Sequence, residues 1–377
     1  MLQVLLDILA GLWETSGLCG LVDDPWKLAM ICVSFLMMYL AIVKEFEPLL
    51  LLPIAFGMFL SNLPTVLSED MIFHAEFWNE PQSAEWFWKV LHDGGLLDKL
   101  YLGVKLQIYP CLIFLGIGTM TDFGPLIANP KSFLLGAAAQ GGIFFTFLAA
   151  SLMGMTAAEC GSIAIIGGAD GPTSIYVSSK LLENVDSNLS TGTIALAAYT
   201  YMALVPVIQP PVMKALTTQE EKLRRMKSLR KVSKLERIFF PIVTCMVIIL
   251  VAPDAASLIA MLCLGNLFRE SGVVGRLYNT AQNELMNIMV IFLGTSVGCT
   301  MSAEVFLTPK VLGVFVLGCC AFAIATAFGV ILAKFMNLFL KEKLNPLIGA
   351  AGVSAVPMAA RVAQKVGQEY DKRNYLL

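Results

Sequence analysis

Charged residues are scarce in this chain. Among its 377 residues, Asp, Glu, Lys and Arg make up only 14%, whereas 57% are hydrophobic and the mean hydropathy is +0.74. Because soluble domains carry about 25% charged and about 45–50% apolar residues, this composition predicts an integral membrane protein in a lipid bilayer. The 26 basic residues stand against 28 acidic ones. This balance excludes a nucleic-acid partner, which needs a basic surface.

Histidines and paired cysteines are also nearly missing. The only histidines, His74 and His92, lie in a polar segment outside the apolar runs. This position excludes histidine ligation of a metal and a histidine proton relay within the membrane. The nine cysteines form no CxxC pair and most lie in apolar runs, so we interpret them as small buried residues. Any ion bound at membrane depth must therefore use oxygen ligands.

Uncharged apolar sequence is abundant. A membrane-spanning helix needs about 20 apolar residues, because its backbone must pair its own polar groups. Three runs are long enough, at residues 132–155, 192–213 and 311–333. Six runs are shorter, and several contain Gly or Pro, at residues 28–43, 48–63, 106–121, 238–253, 285–303 and 344–360. Such runs are typical of discontinuous transporter helices, so we predict an all-α polytopic fold with a site near the midplane.

A basic segment divides the chain. Eight of the 26 lysines and arginines lie in residues 217–237, and the positive-inside rule predicts that this loop is cytoplasmic. The cluster either only sets the topology or also docks an acidic partner, and the sequence favours neither. Residues 1–100 contain N-terminal spans and a polar insert with three tryptophans, Trp78, Trp86 and Trp88. We expect these tryptophans at the level of the lipid headgroups.

The two halves of the chain resemble each other. Residues 113–131 align with residues 291–310, and residues 167–180 align with residues 351–365. Either match alone is weak in so apolar a sequence. The same order at nearly the same offset predicts a duplicated unit.

The duplication predicts the domain organisation. The first repeat covers residues 101–216, connecting spans follow the basic loop at 238–280, and the second repeat covers 281–377. In the first repeat the homologous sequence continues through residues 197–213. Its counterpart would begin beyond Leu377, so we expect the second repeat to be incomplete at its C-terminus.

Asp170 is the first candidate for ion chemistry. It lies in an otherwise uncharged stretch, and a carboxylate at bilayer depth costs at least about 2.5–3.5 kcal/mol, so such residues are usually functional. The neighbouring Gly168, Gly171 and Pro172 break a helix and expose carbonyl oxygens to a cation. The alternative is a turn in which Asp170 caps a helix near the interface. We favour the functional interpretation.

Four more residues are candidates by their uncharged surroundings. Arg361 either snorkels at a helix end, acts as the counter-ion of Asp170, or holds a substrate carboxylate with its guanidinium fork. Taken one at a time, Asn345, Ser354 and Tyr201 are typical of residues that form hydrogen bonds between helices. Together with one carboxylate they supply the oxygen ligands that a hard monovalent cation requires. In the repeat alignment, Ser354 corresponds to Asp170.

Two other functions compete. A plain Na+-coupled secondary transporter needs the same repeats, broken helices and midplane carboxylate. An intramembrane aspartyl protease needs two facing aspartates, but Asp122 and Asp170 are the only plausible pair and neither lies in a GxGD motif. We interpret Asp122, and Glu304 in the second copy, as turn residues. Asp254 is expected at the membrane interface.

Several motifs together resemble one family. From about Leu49 onward the chain is similar to the β subunit of sodium-pumping, biotin-dependent decarboxylases, which act on oxaloacetate, methylmalonyl-CoA or glutaconyl-CoA. The motifs that carry this resemblance are GIGTMTDFGPLIANP, IIGGADGPTSIYVSSKL, MLCLGNLFRESGVV and NPLIGAAGVSAVPMAARVAQKVG. The family's final segment, with an MGPNVAG-like motif and a functional asparagine, has no counterpart here.

The resemblance implies a place in a complex. A carboxyltransferase α subunit transfers a carboxyl group to biotin on a carrier domain or subunit. The β subunit then releases CO2 from carboxybiotin at the cytoplasmic side, consumes a proton and exports Na+. The resemblance also implies a small membrane γ or δ subunit, a homo-oligomeric β core and a location in the bacterial cytoplasmic membrane. The implied fold has two inverted repeats that form a scaffold and a mobile core, as in elevator-type transporters.

The resemblance also implies roles for individual residues. The expected catalytic residues are Asp170, Tyr201 and Arg361, and those expected to contact carboxybiotin are Arg361 and Asn345. The expected Na+ ligands are Asp170, Tyr201, Asn345, Gly349 and Ser354. If the arrival of Na+ releases the proton held at Asp170 or Tyr201, sodium and proton exchange at one site. From their Gly and Pro content, we expect the breaks at residues 167–172 and 349–357 to act as hinges.

Overall fold

The fold is that of a computed structural model, and all its regular structure is helical. The residues described are 22, 24–45, 48–64, 73–74, 77–78, 84–168, 171–182, 189, 191–226, 230–306, 308–340, 342–352 and 358–376. Within them no strand occurs. This confirms the prediction of an all-α protein.

Among the described residues, eleven helices precede the basic loop. They are α1 (Pro25–Val43), α2 (Pro48–Ser61), α3 (Ala84–Asp93), α4 (Leu96–Lys105), α5 (Ile108–Met120), α6 (Gly124–Ala128), α7 (Phe133–Ala139), α8 (Gly141–Leu152), α9 (Ala157–Ala164), α10 (Gly171–Leu181) and α11 (Thr191–Leu216). A 3₁₀ turn at Pro130–Ser132 leads into α7, and another at Ile165–Gly167 extends α9.

From residue 219 onward, the described residues form nine more helices, the first of them inside the basic loop. They are α12 (Gln219–Lys222), α13 (Lys234–Val251), α14 (Ala256–Ser271), α15 (Gly275–Thr280), α16 (Met286–Cys299), α17 (Ala303–Phe306), α18 (Pro309–Phe339), α19 (Leu347–Ala351) and α20 (Met358–Tyr370). A π-helical turn at Ala281–Leu285 joins α15 to α16.

Within the described part of the chain, three stretches are long and apolar enough to cross a membrane. They are Pro25–Ile42, Pro130–Leu152 and Pro309–Phe339. Two bent helix pairs raise the number of spans in the described residues to as many as five: Leu96–Lys105 with Ile108–Met120 at 65°, and Thr191–Tyr201 with Leu204–Leu216 at 56°. The chain is therefore a polytopic membrane protein.

Two helix crossings join the first half of the chain to the second. Where α2 crosses α16, a Cβ on Gly57 would overlap the Thr295 carbonyl and lie 3.1 Å from Cα of Gly298. Where α5 crosses α14, Gly118 and Gly265 meet backbone of the opposite helix in the same way. Small residues let backbones approach this closely, and in a membrane such packing replaces the hydrophobic effect between helices.

The polar insert has a core of its own. Asp98 is fully buried and accepts hydrogen bonds from Trp78 Nε1 at 2.8 Å and from the backbone N–H of His74 at 3.0 Å. Trp86 is also buried, and its ring N–H donates to a backbone carbonyl of the insert. The ring N–H groups of both tryptophans are thus bonded within the insert. The headgroup level of the insert stays a prediction. Trp88 is 59% exposed.

Alanine at Gly57 or Gly265 should destabilise the protein. The new Cβ would overlap backbone that cannot move without separating the helices. We expect a loss of about 1–3 kcal/mol, typical of overpacking, measured as a lower melting temperature in detergent. Gly136→Ala is the control, because no atom lies within 4 Å of its added Cβ. If Gly265→Ala melts like the parent protein, the close crossing is wrong.

Candidate functional site

At two places in the core, a described helical segment ends a few residues before the next one begins. The first break separates the 3₁₀ turn Ile165–Gly167 from α10, and the second separates α19 from α20. Asp170 and Ser354, two of the predicted site residues, lie outside the described residues, as does the side chain of Glu304. The described residues beside each break show which helices enclose it.

The long helix α18 lies against both breaks. A Cβ on Gly167 would lie 2.9 Å from the Ala321 methyl group. Gly349, shortly before the second break, packs so closely on Gly329 that a Cβ on either would overlap the other's carbonyl. At about 1.5 Å per residue, Ala321 and Gly329 are roughly 12 Å apart along the axis. The described residues beside both breaks thus pack against the same helix, α18.

The segment α7–α8 encloses the breaks from a second direction. A Cβ on Gly168 would lie 2.8 Å from Oε1 of Gln140, and one on Gly352 would lie 2.7 Å from the Leu135 carbonyl. Gly142 of α8 in turn packs on α18, where a Cβ would lie 2.6 Å from the Ala325 methyl group. The breaks therefore lie beside two helices that also contact each other.

Helix α11 contributes two tyrosines near the first break. The Tyr199 ring covers Gly171, the first residue of α10, and leaves no space for a side chain there. The Tyr201 hydroxyl donates to the Phe315 carbonyl of α18, and its ring centroid is 5.9 Å from that of Phe322. Phe322 directly follows the residue that contacts Gly167. The structure thus brings Tyr201 to the level of the first break, just where α11 bends.

Asn345 binds the basic loop. It is fully buried, and its Nδ2 donates to the carbonyls of Lys222 at 3.2 Å and Arg224 at 2.9 Å. Its Oδ1 accepts the N–H of Leu347 at 3.0 Å. Asn374 donates to the same two carbonyls, each at 3.1 Å. The sequence pattern did not single out Asn374, because an asparagine close to several charges resembles an ordinary surface residue.

Ion pairs attach the basic loop and its flanks to neighbouring helices. Lys222 is 7% exposed and its Nζ lies 4.8 Å from the Tyr370 ring centroid. The pairs are Arg225–Asp371 (2.7 Å), Lys214–Glu369 (2.6 Å) and Lys334–Glu221 (3.0 Å). Several basic side chains in and beside the loop thus form ion pairs within the chain, while Lys231 and Lys234 are exposed.

The remaining charged candidates lie at the surface or in turns. Arg361 is exposed on the first turn of α20. Asp122 accepts the N–H of Gly124 at 2.8 Å and lies 3.8 Å from Arg269, which confirms its interpretation as a turn residue. The Asp254 side chain is fully exposed beyond the end of α13.

The sequence profile described as the Na+-transporting oxaloacetate decarboxylase beta subunit matches residues 26–377. The chain belongs to this family. The match includes both helix breaks, the basic loop and the two asparagines that bind it.

Relatives in the decarboxylase β subunit family carry different substrate names. The methylmalonyl-CoA decarboxylase subunit beta of Propionigenium modestum is 53% identical over 100% of this chain and 93% of its own length. The glutaconyl-CoA decarboxylase subunit beta of Acidaminococcus fermentans is 51% identical over 95% and 88%. The oxaloacetate decarboxylase beta chain of Klebsiella pneumoniae is 49% identical over 92% and 88%.

Asn345→Asp should loosen the basic loop. The carboxylate keeps an acceptor for Leu347 but cannot donate to the carbonyls of Lys222 and Arg224. We expect faster trypsin cleavage after Arg224 and Arg225 in the purified protein. Asn337→Ser is the control, because Asn337 binds the backbone of Leu344 instead. Unchanged cleavage in Asn345→Asp would contradict the role of this side chain in holding the loop.

Asp371→Asn should remove an acid-dependent part of the stability. The hydrogen bond from Arg225 holds the pKa of the Asp371 carboxyl below its ordinary value of about 3.9. The ionised carboxylate therefore stabilises the folded state above that ordinary value, and this contribution is lost as pH falls through the lowered value. Melting temperatures of parent and variant should differ at pH 7 and converge in acid.

The Arg225–Asp371 pair provides the control for this pH experiment. Arg225→Gln removes the same ion pair, so adding it to Asp371→Asn should cause no further change in the acid limb. A difference between parent and Asp371→Asn that is equal at pH 7 and pH 3 would contradict the assignment.

Proposed function

We propose that this chain is the membrane subunit of a primary sodium pump that releases CO2 from carboxybiotin, consumes a proton and exports Na+. The observation that carries the proposal is the family match over residues 26–377. The relatives differ in the acid that their names give, while the subunit is shared. The acid substrate is therefore selected by another subunit, and this chain receives the same carboxybiotin in each case.

The partners follow from this role. A carboxyltransferase α subunit loads the biotin, a carrier domain or subunit delivers it, and a small membrane subunit completes the complex around a homo-oligomeric β core. Biotin is bound covalently to the carrier and not to this chain. The cytoplasmic side is the side of the basic loop. Arg361 is reached from that side, since α20 leads from it to Glu369, which pairs with Lys214.

The chemistry needs one proton for each carboxyl group. The bond between the ureido nitrogen and the carboxyl carbon breaks, its electron pair remains on nitrogen, and nitrogen takes up a proton while CO2 leaves. Asp170 or Tyr201 supplies this proton as Na+ arrives, and Arg361 holds the carboxylate. The burial of Tyr201 beside the first break supports this role, because a proton held there is shielded from bulk water.

Transport then requires the site to face the two sides of the membrane in turn. We propose a scaffold built on the two glycine crossings and a moving core built on α18. Each crossing pairs a helix of one half of the chain with a helix of the other, which suits a frame shared by both halves. Lys310 and Lys334 are roughly 36 Å apart along α18, at about 1.5 Å per residue, which suits a helix that crosses the bilayer.

The test measures CO2 release by the detergent-purified complex with Na+ titrated at constant ionic strength against choline. Oxaloacetate, methylmalonyl-CoA and glutaconyl-CoA are supplied in turn. We expect release that saturates with Na+ and is blocked by avidin. If no biotin-containing partner co-purifies and Na+ has no effect, a plain Na+-coupled secondary transporter becomes the better proposal.

In the same assay, Asp170→Asn and Tyr201→Phe should each lower Na+-dependent turnover by about 10²-fold or more, the usual size of a general acid contribution. Asp254→Asn is the control, because that side chain is exposed beyond the end of α13. Turnover that is unchanged in both site variants would remove the proposed exchange of Na+ and proton.

A further inference from the structure

Gln209 is a buried polar residue beside the second break. It lies on the second limb of α11, and its side chain is fully buried. Its Nε2 donates to the carbonyl of Ala350, in α19, at 3.3 Å. Its Oε1 has no hydrogen-bond partner in the part of the chain that the structure describes. A buried amide oxygen without a partner is costly, so it needs an explanation.

The hydrogen bond orients the amide group. Two carbonyl oxygens do not attract each other, so the nitrogen of Gln209 must face Ala350 and the oxygen must point elsewhere. Asn345 uses both ends of its amide, with Lys222, Arg224 and Leu347. Gln209 uses only its donor. Its acceptor is left available to a ligand that is positively charged or donates a hydrogen bond.

The surroundings favour a cation. Helix α19 ends at Ala351, and the carbonyl end of a helix carries partial negative charge. The Gly349 carbonyl accepts the N–H of Gly352, and the Ala350 carbonyl accepts Gln209. The close contact between Gly349 and Gly329 holds this helix end against α18. Amide and backbone carbonyl oxygens are ligands suited to a hard cation, and half-helix C-terminal ends coordinate Na+ in transporters with broken helices.

We propose that Oε1 of Gln209 is a ligand of the transported Na+ at the C-terminal end of α19. This inference rests on the proposed function of the chain as a sodium pump. The ion satisfies the buried oxygen and draws α11 and α19 together at Ala350. Because Tyr201 lies on the other limb of α11, the two sides of one 56° bend then carry a sodium ligand and the proposed proton donor. Sodium binding at one limb can thereby change the position of the other.

The test compares two substitutions with opposite effects on the oxygen. Gln209→Met removes both ends of the amide, whereas Gln209→Glu keeps an oxygen and removes the Nε2 donor. In the intact complex, Gln209→Met should raise the Na+ concentration for half-maximal CO2 release about tenfold or more, with the rate at saturating Na+ within about threefold of the parent. Gln209→Glu should leave this concentration at or below the parental value.

A second readout does not depend on turnover. The melting temperature of the complex is measured against Na+, with choline as the control cation, and Gln209→Met should need a correspondingly higher Na+ concentration for the same stabilisation. If Gln209→Met does not fold, Gln209→Asn withdraws the oxygen by one methylene and carries the same expected shift.

Asn266→Leu is the matched control. Asn266 is also buried, donates to backbone carbonyls and has a partnerless Oδ1 among the described residues, but it lies at the crossing of α5 and α14. It should lower the melting temperature equally at all Na+ concentrations. An unchanged half-saturation in Gln209→Met, or equal increases in Gln209→Met and Gln209→Glu, would overturn the assignment. Absence of any Na+ effect in the parent would instead overturn the proposed function and this inference with it.

Discussion

The need to pair backbone polar groups inside a membrane is the constraint on which this structure depends. A helix that breaks at membrane depth leaves N–H and carbonyl groups that lipid cannot satisfy. Here both breaks lie against α18, a continuous helix of 31 residues, and beside α7–α8. At the described residues beside each break, protein thus takes the place of lipid.

Glycine makes this enclosure possible, and it does so in the scaffold and the site alike. Helices in a membrane gain little from burying apolar surface against each other, so close backbone approach has to stabilise their contacts. Gly57 with Gly298, and Gly118 with Gly265, bring together the two halves of the chain. Gly329 with Gly349 holds a half-helix at the second break. Close packing of glycines thus positions both the helix crossings and the half-helix beside the second break.

Polar contacts connect the basic loop to α19, which precedes the second break. The carbonyls of Lys222 and Arg224 accept from Asn345, which also caps the start of α19. The end of α19 accepts from Gln209 of α11, the helix that carries Tyr201. A partner that moves the basic loop therefore acts on a helix end next to the candidate site. These contacts form a continuous chain from the loop to α11. The energy with which they couple the two ends has to be measured independently.

The sequence by itself determined the membrane class, the helical fold and the positions of the breaks, because hydropathy and helix-breaking residues act on near neighbours. It also singled out Tyr201 and Asn345, whose roles in the site stay predictions; the structure places Tyr201 beside the first break and Asn345 against the basic loop. Only the tertiary structure decided that Trp78 and Trp86 form a core around Asp98, since a tryptophan at a headgroup and one in a core have the same local pattern. It alone paired Gln209 with Ala350, 141 residues away. Such contacts exist only once the helices have packed.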